Sequence, residues 1–528
     1  MELIKKLERI FKNDIFVITL FYSLAYGLIL LNKGIFFDDW VFYYADKTNM
    51  TQIMSRAGQP WVGYYYFFMF SLNDMLVFRV LVFCSYLLSA FFFNSILKTV
   101  KEISDEDRLF VVLFFTLLPV NFARIAACLS HYALGYLFFF LGFFILSRYL
   151  KIKKTLLRAL ALLVLFCSFF ALNSLLVFYY GTIIIYIIYV EFRIRQRKVI
   201  FPFQVLKYLD FLLLPVVFWA IKNLFFKSYY DYAGYNQITL DKILTTRYNL
   251  NGAFNRTLNA PLSESFENLL SHPLLIISFA FLFFLLLPKR EKKSPENQYG
   301  DSEKNDFIFL FFGIIALISG IYAYVAIGSM PGSMDWQSRY QMLAPLGASI
   351  FIIYFLKIFF TKKSKLFIFS LLTILFTYTN LFNYIDYQQD WFKQLSLIEN
   401  FKTNEIIKNH TSFIFIDEAK DLNARSRGLR FYEWCGLFKK TFHDETRFGI
   451  LDIMYSNNIK DYDLNIKSNE YNMRDFKLKD PEYKIIIKKG NFKLSKTNML
   501  KLFLKKITSP SQYENDIRNI LILDVEKI

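Results

Sequence analysis

Apolar residues in this chain gather into long uninterrupted runs, separated by short clusters of Lys and Arg. Helices rise 1.5 Å per residue, so roughly 20 apolar residues cross the hydrocarbon core of a bilayer. On that ruler the pattern predicts about eleven spans, near residues 14–31, 75–97, 108–122, 132–149, 156–172, 174–190, 206–226, 272–288, 306–328, 340–360 and 365–384. Residues 62–71, rich in Tyr and Phe, are too few to cross and predict a helix lying at the interface. From about residue 385 the pattern changes. Asp, Glu, Lys and Asn rise, and apolar residues shrink into short runs such as Ser412–Ile416 and Tyr483–Ile487, as in strands of a water-exposed fold. The expected architecture is an all-α polytopic membrane domain over 1–384, with loops 32–74 and 227–271 on one side, followed by a soluble α/β domain over 385–528.

Composition agrees with that reading. Of the 528 residues, 55% are hydrophobic and 20% aromatic, more than the interior of a soluble chain of this size can hide. The net charge of +18 would suggest nucleic acid in a soluble protein. Here the basic residues are spread between apolar runs, which is a topological pattern, and no nucleic acid is expected. With the N-terminus inside, the inner segments hold 26 Lys and Arg and the outer ones before residue 385 hold nine. The positive-inside rule then places the N-terminus in the cytoplasm and the C-terminal domain beyond the cell (inner) membrane. The first apolar run follows Lys5, Lys6, Arg9 and Lys12 but is too long for a signal peptide, so it reads as an uncleaved span. The loop 289–304 is hydrophilic and expected to be flexible.

The four cysteines lack metal-site spacing, and only a Cys128–Cys435 bridge is conceivable. No nucleotide-binding glycine loop, HExxH or GxSxG pattern occurs. Asp74 and Arg79 read as a structural ion pair at the start of the second span. Two donor-rich stretches of the tail, 423–430 and 442–447, read first as a solvated face and otherwise as contacts for a sugar or glycan acceptor.

One place combines charge with desolvation. Phe36-Phe37-Asp38-Asp39-Trp40 follows the first span directly, and two adjacent carboxylates among aromatic rings favour a raised pKa in one of them. By composition alone this is an interfacial turn with a belt Trp. Its position on the first outer loop, with Ser55-Arg56-Ala57-Gly58-Gln59-Pro60-Trp61 and the interfacial helix after it, resembles the GT-C superfamily of integral membrane glycosyltransferases. The nearest likeness is to the O-antigen-modifying glucosyltransferases and, more distantly, the protein mannosyltransferases. Those families often carry Gly-Arg where this chain has Gly58-Gln59.

The resemblance implies transfer of a sugar from a polyprenyl-phosphate donor to a hydroxyl of a glycan, lipid or protein acceptor outside the membrane, with inversion. Such a reaction needs a general base, for which Asp38 is the first choice and Asp39 the second. It also needs positive charge at the leaving phosphate. Arg339 is the leading candidate, with Arg56, Arg124 and His131 after it, and a divalent cation (Mg or Mn) on Asp38 and Asp39 is an alternative source. A polysaccharide polymerase or ligase, and a lipid-linked sugar flippase, are the competing classes. The span centres hold almost no charge, which favours an enzyme over a transporter.

Overall fold

The computed structural model describes residues 13–43, 45–72, 74–191, 206–234, 239–271, 274, 277–278, 299–332, 336–457 and 481–528. Among them five helices are long and apolar enough to cross a membrane: Met75–Leu97, Ala127–Ile152, Leu206–Phe225, Asn305–Val325 and Lys362–Thr403. Asp14–Tyr26 (α1), Thr155–Ala171, Leu175–Tyr189 and Ala344–Phe359 are apolar but shorter. The architecture is thus compatible with membrane insertion, and among the described residues five of the about eleven expected spans have that length. The expected span at 272–288 falls almost entirely outside the described residues, as does most of the loop at 289–304.

The expected span at 108–122 shows how a run of this apolarity can be enclosed by protein. It appears as Asp105–Leu117 (α2), only 13 residues long. Residues 106–117 are all buried by neighbouring protein, so this run is apolar all round because other helices enclose it. Its first turn carries Asp105, Glu106 and Asp107 above a Ser104 cap, where the helix dipole favours acids. Asp107 meets Lys365 at 2.9 Å and Lys357 at 3.1 Å, and Arg108 meets Asp14 at 2.6 Å. This knot fastens one end of the bundle. The candidate site lies at the other.

Pro60–Ser71 forms the expected short helix, after which Met75–Leu97 (α3) begins the long ones. Lys362–Thr403 (α4) runs without a break for 42 residues, roughly 63 Å at 1.5 Å per residue. That is about twice the hydrocarbon thickness, so its second half extends past the bundle into the C-terminal domain, through the expected domain boundary at residue 385. This domain is α/β, with a four-stranded sheet in the order β2-β1-β3-β4. Strand β1 (Ser412–Asp417) lies parallel to β2 (Phe448–Leu451) and to β3 (Tyr483–Lys489), while β4 (Leu521–Lys527) is antiparallel to β3. Both strands expected from the sequence are present. Helix α5 (Phe431–Phe442) connects β1 to β2 and stacks Trp434 on Phe415 at 4.1 Å between ring centroids. Lys393 of α4 reaches both oxygens of Asp417 at 2.8 and 2.7 Å. A buried pair of this kind ties the long helix to the sheet.

Candidate active site

The loop 32–37 after α1 is held on two sides. Arg79 of α3 donates to the carbonyl of Gly34 at 2.8 Å and to that of Asn32 at 3.4 Å. Gln394 of α4 exchanges bonds with the backbone of Ile35, donating at 2.9 Å and accepting at 3.2 Å. Asn32 donates to the Tyr387 carbonyl at 2.9 Å. Arg79 therefore turns away from Asp74, which caps α3 through Leu76 and pairs with Lys33 at 3.6 Å. The ion pair expected between Asp74 and Arg79 is replaced by two separate roles, because the loop carbonyls fill the buried guanidinium's donors.

At the end of this loop Phe37 adopts φ 55°, a left-handed conformation costing a bulky residue on the order of 1–3 kcal/mol. Its ring stacks on Trp336 at 5.1 Å, and the Arg427 guanidinium lies over it at 4.7 Å. The chain then turns through Asp38 into the single helical turn Asp39–Phe42.

The two carboxylates part company here. Asp39 is fully buried, at 0% exposure. Its Oδ1 accepts from the Cys128 amide at 2.7 Å and its Oδ2 from the Ala127 amide at 2.8 Å. Burial raises its pKa from the usual carboxylate range, against the Arg79 charge and the two amide bonds, which lower it. Asp38 is half-buried, and its Oδ1 accepts a hydrogen bond from the Tyr432 hydroxyl of α5 at 2.9 Å. Trp40 meanwhile packs flat against α5 at Gly436, where any side chain would collide with the indole. The C-terminal domain thus sits directly on the acidic turn.

The predicted cationic residues separate. Arg339 is close to the pair: it lies over Trp336 at 4.1 Å and Tyr340 at 4.4 Å, and Trp336 in turn carries Phe37. Its Nη1 donates to the Trp336 carbonyl at 2.8 Å and its Nη2 to the Tyr340 hydroxyl at 2.7 Å. Asp38, Asp39 and Arg339 all act electrostatically on Cys128. Arg124 is buried between the rings of Tyr26 and Tyr86, at 4.4 and 4.5 Å, which encloses its charge in aromatic surface. His131 is buried beneath the interfacial helix, with Nδ1 3.0 Å from the Tyr66 hydroxyl. Arg56 faces the segment after residue 226, lying over Tyr230 at 5.4 Å.

Sequence reasoning missed Tyr432 and Arg427. The stretch 423–430 read as solvated, yet the Arg427 side chain is only 11% exposed and grips Glu433 through both carboxylate oxygens at 2.8 and 2.7 Å, with Asp390 of α4 at 3.5 Å. Burial works against the charge on Arg427, and Glu433 and Asp390 more than offset it, so its pKa stands above the ordinary value. No sequence signal could pair Tyr432 with Asp38, 394 positions away. All four cysteines are free.

No model of a known protein family matches this chain, and no curated protein matches it.

The donor set does not suit a divalent cation between the two carboxylates. Both Asp39 oxygens already accept backbone amides, and among the described residues no three His, Cys, Asp or Glu side chains come together. Magnesium sites commonly take one or two protein carboxylates and complete the shell with water and phosphate oxygens, but here Asp39 is committed to the amides of Ala127 and Cys128.

Proposed function

We propose that the chain is an integral membrane glycosyltransferase of GT-C type, which transfers a sugar from a polyprenyl-phosphate donor to an acceptor hydroxyl with inversion. About eleven spans, a cytoplasmic N-terminus and a C-terminal domain outside the cell membrane complete the reading. One observation carries it: of two adjacent aspartates, Asp39 is locked by two amides inside the protein while Asp38 is held half-buried under Tyr432. A strained Phe37 precedes that carboxylate, and Arg339 lies over the Trp336 ring on which Phe37 stacks. Backbone strain of this kind gathers where a side chain must be held for function.

In this mechanism Asp38 accepts the proton of the acceptor hydroxyl as its oxygen bonds to the anomeric carbon. The bond from that carbon to the phosphate oxygen breaks on the opposite face, and the electron pair leaves with the polyprenyl phosphate. Arg339 forks onto the leaving phosphate as its charge grows. Asp39 is a positioning residue, fixing the turn through the Ala127 and Cys128 amides.

The test is Asp38→Asn, which keeps shape and removes the proton acceptor. Removing a positioned base costs a factor of about 10² to 10⁴, so transfer from a radiolabelled polyprenyl-phosphate sugar should nearly vanish while donor binding persists. Transfer at the wild-type rate would defeat the proposal.

A further inference from the structure

Where the C-terminal domain meets the first turn of α3, a cavity of about 260 Å³ opens between Lys440, Lys33, Asp74, Tyr43, Phe70 and Phe78. Lys440, from the last turn of α5, reaches in over the rings of Tyr43 at 5.4 Å and Trp40 at 6.0 Å. No carboxylate among the described residues pairs with it. Burial alone pushes its pKa down to about 8, as expected for an ammonium that lacks a counter-charge. Lys33 stands on another wall and shares its charge with Asp74 at 3.6 Å. Two ammonium groups therefore face one carboxylate, and the cavity is short of one negative charge.

The remaining wall points to the rest of the ligand. Phe78 is buried and Phe70 half-buried, and both line this wall. We infer that this seam cavity binds a singly charged phosphate group, with Lys440 and Lys33 meeting its oxygens and Phe70 and Phe78 packing on the molecule that bears it. A tetrahedral phosphate offers oxygens to ammonium groups on separate walls, and lysine serves phosphate well as a mobile point charge. Asp74 disfavours a doubly charged ligand. The phosphate belongs either to a membrane lipid headgroup or to a free ion, and this inference is independent of sugar transfer.

The experiment uses the full chain in neutral detergent, titrated in one arm with short-chain phosphatidylglycerol and in the other with inorganic phosphate, followed by phosphorus NMR. Saturable phosphatidylglycerol binding is expected, weakened about tenfold or more by Lys440→Gln, since a charge-assisted bond is worth at least one decade of affinity. Lys440→Arg should retain most of it. Saturation by inorganic phosphate with the same Lys440 dependence would assign the site to the free ion. If Lys440→Gln unfolds, Lys33→Gln against Lys440→Arg decides, the first weakening binding and the second keeping it. Equal affinity in wild type and in the lysine-to-glutamine variants, or no saturable binding in either arm, overturns the inference.

Discussion

Adjacent aspartates rarely share a fate once one of them is desolvated. Asp39 is stabilised as an anion by the Arg79 charge, two amides and the Cys128 side chain, but burial outweighs them, raising its pKa. A raised carboxyl pKa means the folded protein holds more proton than the unfolded chain between the ordinary value of about 3.9 and the raised one. In that window stability falls as pH rises. The melting temperature of the wild type should therefore gain on that of Asp39→Asn as pH is lowered from 7 toward 4.5, and a wild type that instead loses ground contradicts this assignment. Arg339 calls for a different measurement. Its guanidinium is already oriented by Trp336 and Tyr340, so Arg339→Ala should lower turnover with little loss of folded protein. Lysine should rescue only part, lacking the planar fork. Unchanged turnover in the alanine variant would leave Arg339 a purely interfacial side chain.

Among the elements, α4 decides whether the site is assembled. Asp390 accepts from the Ala424 amide at 2.9 Å, Lys393 holds Asp417, and Gln394 holds Ile35. A single helical surface thus aligns the acidic loop with the C-terminal domain. Proline inside a helix removes one backbone bond and clashes with the preceding turn, at about 3 kcal/mol or more. Gln389→Pro should bend α4 just ahead of these contacts, accelerate proteolysis within residues 405–528 and abolish sugar transfer, whereas Gln389→Ala should do neither. Wild-type protease resistance in the proline variant would mean that α4 does not couple the two parts.

For the molecule as a whole, the Tyr432–Asp38 bond requires the C-terminal domain and the loop 32–74 to share one side of the membrane. In the proposed orientation, argued from charge asymmetry, that side is outside. Thr48→Cys and Lys501→Cys, on a background with Cys84 and Cys167 replaced by alanine, should both react with an impermeant maleimide in intact cells. Both positions are exposed in the fold. Protection of both would reverse the orientation, and protection of one alone would break the domain contact.

Periodicity and composition were enough to determine the apolar helices described between residues 14 and 384, the short helix near 62–71 and the strands near 412–416 and 483–487, because each follows from local patterns of burial. The acidic pair was equally legible, since adjacent carboxylates among aromatics are a local anomaly. The number of full-length spans was not. Apolarity looks the same whether lipid or neighbouring helices supply the surroundings, as α2 shows. Nor did any local pattern tell Asp38 from Asp39, or pair Arg427 with Glu433 and Asp390. Those outcomes rest on the amides of Ala127 and Cys128, on Tyr432 and on Asp390. Contacts across dozens to hundreds of residues choose which carboxylate is sealed and which is presented, and only the packed chain brings those groups within hydrogen-bonding distance.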